Sequence, residues 1–183
     1  LFGTILKGCV LYPSDAVSAE RVVEEAAKHY GIVYIRMTRG GAPVIYNAGE
    51  AFSIGGSKVL RQSDQDVATV VAAGVTLHEA LKACDELKED GISVRVIDLY
   101  SIKPIDENTL RKAADETNAI ITVEDHYAEG GLGDAVRSAF QKSPVPIYSL
   151  AVTKKPKSGK PEELLDFEGI SHRAIVKKVK SIK

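Results

Sequence analysis

Apolar positions along this chain recur with two different periods, and the alternation between them predicts the architecture. Val67–Ala73 is a nearly continuous run of small and β-branched residues, the pattern of a central strand buried on both faces. Gly74 breaks it, and Leu77, Ala80, Leu81, Cys84 and Leu87 follow at helical spacing, with Lys88 on the fringe. Thr76 and Glu79 have the spacing of a capping box at that helix's start. Gly91 closes the helix and Ile92–Leu99 gives the next strand. Lys103-Pro104 marks a turn, and Asp106 caps a helix carrying Leu110, Ala113 and Ala114. Ile120–Val123 is a further strand, with Glu124, Asp125, His126 and Tyr127 at its tip, a turn built on Gly130, Gly131 and Gly133, and a helix opened by Asp134. Ser57–Arg61, interrupted by charge, predicts an edge strand, and Val145–Val152, with Pro144 and Pro146 around its start, predicts a fifth strand. Helices over 162–167 and from 171 to about 180 complete the pattern. Five strands alternating with helices make residues 51–183 a compact α/β domain.

The first fifty residues read differently. Val10-Leu11-Tyr12 is a short strand ended by Pro13, and Ser14 or Asp15 caps a helix to about Tyr30 with Val17, Val22, Val23, Ala26 and Ala27 on one side. Gly31 leads into a second strand, Ile32–Met37, giving a parallel βαβ unit. Two strands and one helix cannot bury both faces of a sheet, so residues 1–50 are expected to be part of a larger domain. Residues 42–54, with Pro43 and Asn47, read as a linker.

Composition narrows the function classes. With 44% hydrophobic residues a packed core is within reach, and 24 Lys and Arg against 25 Asp and Glu leave a net charge of −1, without the basic field that nucleic acid requires. The apolar runs are too short to span a bilayer, and no secretion signal opens the chain. Cys9 and Cys84 lack any metal-ligand spacing and are expected to be reduced core thiols of an intracellular, cytoplasmic protein.

Several residues are candidates for chemistry. Arg36 and Arg39 stand at the carboxyl end of a strand beside Gly40-Gly41, where a guanidinium suits phosphate or carboxylate; a surface salt bridge is the equal alternative. His126, next to Glu124 and Asp125, could act as a general acid or base or ligate a metal, against the plainer role of a hydrogen-bonded tip. Gly74-Val75-Thr76 and the Gly130–Gly133 turn resemble phosphate cradles at helix N-termini, but packing glycines explain both better. His78 suits a surface or cap role, and Lys154–Lys160 reads as a solvated basic loop.

Six segments, in order across nearly the whole chain, resemble the C-terminal portion of transketolases of the animal type: VLYPSDAV (10–17), IRMTR (35–39), GVTLHEAL (74–81), IKPID (102–106), TVEDHYAEGGLGDAV (122–136) and KSGKPEELL (157–165). Deoxyxylulose-phosphate synthase and the pyruvate dehydrogenase beta subunit share the fold and Gly-Gly turn, but not the full wording. The resemblance implies the end of a pyrimidine-binding domain (1–50), followed by a three-layer α/β/α C-terminal domain (51–183) with a five-stranded, mostly parallel mixed sheet. It implies transfer of a two-carbon ketol unit from ketose phosphate to aldose phosphate in the pentose phosphate pathway, with thiamine diphosphate and a divalent metal (Mg or Ca), in a homodimer. The residues that hold the cofactor and perform catalysis would lie upstream, leaving this chain inactive alone. The one substrate residue that carries over is Arg39, as a sugar-phosphate ligand, although the text after it, Gly40-Gly41-Ala42-Pro43, departs from the family's Pro-Glu-Asn. The alternative is an autonomous α/β module that binds partners or a small anion through its strand tips.

Overall fold

In the computed structural model, residues 2–140 and 145–182 are described. A 3-10 turn at Phe2–Thr4 precedes β1 (Cys9–Leu11), α1 (Ala16–Lys28) and β2 (Val33–Ile35), which lies parallel to β1. Asp15 is the N-cap of α1: its carboxylate accepts the Ser18 N–H at 2.7 Å, and the Ser18 hydroxyl oxygen accepts the Asp15 N–H at 3.0 Å. Residues 42–54 contain no helix or strand, yet they are no loose linker. Tyr46 and Phe52 are buried and stack edge-on, and Phe52 stacks in turn on Tyr100, each with ring centroids 4.8 Å apart.

The remainder runs β3 (Lys58–Arg61), β4 (Asp66–Ala72), α2 (Val75–Glu89), β5 (Ser93–Asp98), β6 (Ser101–Lys103), α3 (Glu107–Glu116), β7 (Ile120–Tyr127), α4 (Leu132–Ala139), β8 (Ile147–Val152), α5 (Pro161–Glu168) and α6 (His172–Lys180). Five of these strands form one sheet in the order β3-β5-β4-β7-β8, parallel except for the antiparallel edge strand β3. Successive residues of a strand point to opposite faces, and here both faces are covered. Val70, Val96 and Ile121 meet Leu77 and Leu87 of α2 and Ile175 and Val179 of α6. Their neighbours Val71, Ile97 and Ile120 meet Leu110 and Ala113 of α3 and Leu132 and Val136 of α4. This double burial is why β4 reads as an uninterrupted apolar run.

Three local expectations change. Ser101–Lys103 is a strand, and it pairs antiparallel with β1, so that β2, β1 and β6 form a second sheet whose third strand comes from beyond residue 100. The α2 capping box does not form. Gly74, at φ 59°, is the N-cap and starts the helix earlier, so that Thr76 lies inside the first turn, where its hydroxyl donates to the carbonyls of Ala73 and Val123. Glu79 instead accepts from His172 and Lys82. β7 extends through the polar tip to Tyr127, with a register irregularity against β8 between Val123 and Tyr127. Pro144 and the end of the expected helix at 141–142 lie outside the described residues.

Candidate functional site

From β4 the chain crosses to β5 on one side, whereas β7 lies on the other, so the carboxyl ends of β4 and β7 flank the sheet's switch point, where open α/β sheets hold ligands. In this chain the first fifty residues fill that position. A Cβ at Gly74 would overlap the Tyr12 ring, so the glycine serves both the left-handed turn and the close approach. The Tyr12 hydroxyl donates to Asp125 Oδ2 at 3.0 Å. Arg36 lies over the same ring, 4.6 Å from its centroid, and grips Asp125 with a fork: Nη1 to Oδ1 and Nη2 to Oδ2, both 2.9 Å, with Nη2 also donating to the Asp125 carbonyl at 3.0 Å. Burial, and then the adjacent Asp125 charge, push the Tyr12 hydroxyl well above the usual tyrosine range, so it stays a donor. Of the two candidate arginines, Arg36 is therefore committed to an ion pair.

Alongside this clamp lies a second polar contact. Asp98, at the end of β5, is fully buried; its Oδ1 accepts the Ser14 hydroxyl at 3.0 Å and its Oδ2 the Tyr46 hydroxyl at 2.6 Å. Ser14 Oγ also accepts the Gly74 N–H at 2.9 Å, and the Ser14 carbonyl accepts His78 Nε2 at 2.7 Å. Asp15 receives the N–H groups of Ile45 and Tyr46 at 2.9 and 3.1 Å. Burial alone would raise the Asp15 carboxyl, but these bonds and those from Ser18 outweigh it and hold it below the usual range. His78 is thus a joint between the two regions, not a surface residue.

The Gly-rich turn is an anion site with an occupant already in it. Glu124 turns inward, and its oxygens accept the N–H groups of Leu132 (2.6 Å) and Gly133 (3.0 Å) at the start of α4. A Cβ at Gly131 would overlap that carboxylate, and one at Gly133 would stand 2.9 Å from it. Burial raises the Glu124 carboxyl, and the two N–H groups oppose the rise.

Beyond this core the candidates diverge. Arg39, four residues past β2, is exposed, and no partner for its guanidinium is found among the described residues. His126 is exposed at the tip, its Nδ1 on the Tyr127 carbonyl at 2.7 Å, and it belongs to no metal-holding group among the described residues. In the basic loop, Lys154 and Lys157 lie over the Phe167 ring at 4.5 Å each. His172, which carries no signal in the sequence, bonds Glu79 through Nδ1 at 3.0 Å. Cys9 and Cys84 are free and buried. Among the described residues no group of three or more His, Cys, Asp or Glu could hold a metal ion, and no helix is long and apolar enough to cross a membrane. Sequence reasoning missed Tyr12, Ser14 and Asp98. For Tyr12 a signal existed: an aromatic at a strand end just before a Pro, and a Gly at the matching end of β4.

Residues 57–175 match the family described as the transketolase C-terminal domain. The chain is 53% identical over 182 residues to the mouse protein named transketolase-like protein 2, covering 98% of this chain and 29% of that protein. Against mouse transketolase the identity is 47% over 184 residues, covering 100% of this chain and 30% of the relative. The chain thus spans about three tenths of the length of these relatives. Among solved structures, a split-gene transketolase described as an inactive β4 tetramer superposes with a TM-score of 0.90 at 34% identity, over 99% of this chain and 58% of that one. A Campylobacter jejuni transketolase shares the fold, with a TM-score of 0.70 at 16% identity, over 98% of this chain and 27% of that one.

Proposed function

The chain belongs to the transketolase family through its C-terminal domain, and from that premise we propose that it is the C-terminal part of an enzyme that moves a two-carbon ketol unit from a ketose phosphate to an aldose phosphate. The setting would be the pentose phosphate pathway in the cytoplasm, with the working enzyme a dimer. In this reading, residues 1–50 close a pyrimidine-binding domain, residues 51–183 dock against it, and Arg39 holds the substrate phosphate. The observation that carries the role of Arg39 is the contrast on one strand exit: Arg36 is consumed by Asp125, whereas Arg39 stands free in solvent.

Thiamine diphosphate with its metal would supply the carbanion chemistry when bound. The residues present here do not fit that group. The switch-point crevice is filled by the Tyr12 ring, and no metal-ligating cluster occurs among the described residues. The cofactor is assigned to polypeptide outside this chain, which alone would be inactive. Likeness to a split-gene relative described as inactive supports that assignment.

Joining this chain to the cofactor-binding part of a relative provides the test. Transfer activity should return, and Arg39→Ala should raise KM for phosphorylated sugars about 10- to 100-fold, the range expected for a lost charge-assisted bond, with much smaller effects on unphosphorylated ones. No activity in any combination would sink the reading. Equal effects on both sugar classes would remove Arg39 from the phosphate site.

A further inference from the structure

The contact between the first fifty residues and the five-stranded sheet contains a fully buried carboxylate to which, among the described residues, no cation is bonded. Asp98 is fully buried, and its direct partners are the hydroxyls of Ser14 and Tyr46. Lys58, opposite it on the paired strand β3, acts on it electrostatically but is itself engaged at 3.2 Å by Glu50. The other titratable groups facing this cluster are Asp15, Tyr100 and His78, whose imidazole bonds the Ser14 carbonyl. Ionisation of Asp98 places a negative charge in a buried joint already lined by Asp15.

We propose that Asp98 is a proton-operated latch between the two regions, closed when its carboxyl is neutral and loosened when it ionises. In the neutral form the bond to Ser14 reverses, so that the acid proton is donated to Ser14 Oγ, the acceptor of the Gly74 N–H, while the other oxygen still accepts from Tyr46. One proton thus links the segment before α1, the buried stretch around Tyr46 and the first turn of α2. Ionisation keeps the hydrogen bonds to Asp98 but leaves the charge opposed only by Lys58, which is already paired with Glu50. Burial, the largest influence, pushes this carboxyl up from 3.8 to about 7, against the pull of the Tyr46 and Ser14 bonds.

The direction of the pH effect follows from linkage. Between pH 4 and 7 the folded chain holds a proton on Asp98 that the unfolded chain has released. Stability from this group is therefore highest near pH 4, falls as pH rises, and levels off above 7. Other carboxylates with depressed values, such as Asp15, act oppositely and lower in pH.

A carboxyl-carbon NMR titration of the intact chain reads the latch directly and needs no variant. Asp98 should titrate between pH 6 and 8, and protection of the Gly74, Ile45 and Tyr46 amides should drop about tenfold, beyond intrinsic exchange, across that range. Asp98→Asn, which keeps the shape and neutral hydrogen bonding, should remove this dependence and raise the urea midpoint above pH 7. His78→Gln separates any contribution of the imidazole and should leave the Asp98 titration in place. Titration of Asp98 below pH 5 overturns the proposal. So does a folded Asp98→Asn variant whose midpoint falls with pH as steeply as the parent's. If Asp98→Asn does not fold, Tyr46→Phe decides: losing a donor to the ionised form must move the Asp98 titration upward.

Discussion

The first fifty residues and the five-stranded sheet are both α/β, but they bury themselves by different means. Among the largest fully buried side chains of the described residues, Leu77, Leu87, Ile97, Leu110, Ile120, Ile121, Ile175 and Val70 sit in the sheet and its helices and Leu99 just past β5, whereas Leu11 and Val22 fall within residues 1–50. Exposed apolar residues are distributed the other way: Phe2, Leu6, Val23, Tyr30, Ile32, Met37 and Val44 in the first region, against Val59 and Tyr127 in the second. The small core around Leu11 and Val22 is completed by Tyr46, Phe52 and Tyr100. The sheet domain has an interior of its own; the first region has a shared one. Docking therefore rests on polar joints as much as on apolar area.

The sharpest way to break this arrangement is through a glycine. Gly74 and Gly91 both have positive φ, but a Cβ at Gly91 meets nothing within 4 Å, whereas one at Gly74 overlaps Tyr12. Gly91→Ala should cost about 1–2 kcal/mol of strain, and Gly74→Ala about 4 kcal/mol or more in urea unfolding. Equal losses would mean that Tyr12 is not seated on the sheet. Asp125→Asn comes next. It removes half of the fork to Arg36 and should cost about 1–3 kcal/mol, with the loss shrinking in high salt because the pair is only half-buried. A change within error would demote the clamp to a surface pair. The smallest effect sharpens the contrast: Val23→Ser, on the open face of α1, should shift stability by less than about 0.5 kcal/mol. A large loss there would place Val23 in a contact that the first region keeps covered.

These differences also set what the sequence made legible. Val67–Ala73 and Ile120–Val123 announce themselves because burial on both faces leaves no polar alternation. The count of five strands and the charged edge strand follow from such local patterns; the mixed character of the sheet comes only through the resemblance to transketolases. Ser101–Lys103 shows no period at all; it is a strand only because β1, some ninety residues earlier, lies beside it. Arg36 looked equally suited to a ligand and to a salt bridge, and Asp125, across 89 positions, decides between them. Asp98 reads as an ordinary strand-end acid until Ser14 and Tyr46 close over it. Thr76 and Glu79 mimic a cap because both are polar, but tertiary partners on β7 and α6 claim them. Each miss is a long-range pairing, and no local window contains it.

Glu124 bears on what an approaching molecule senses at this surface. The N-terminus of α4 would otherwise project a partial positive charge beside His126 and Tyr127. The inward-turned carboxylate opposes that field from within. An incoming anion would find the N–H groups of Leu132 and Gly133 already taken. With that helix end occupied, the glycine turn carries structure, not binding.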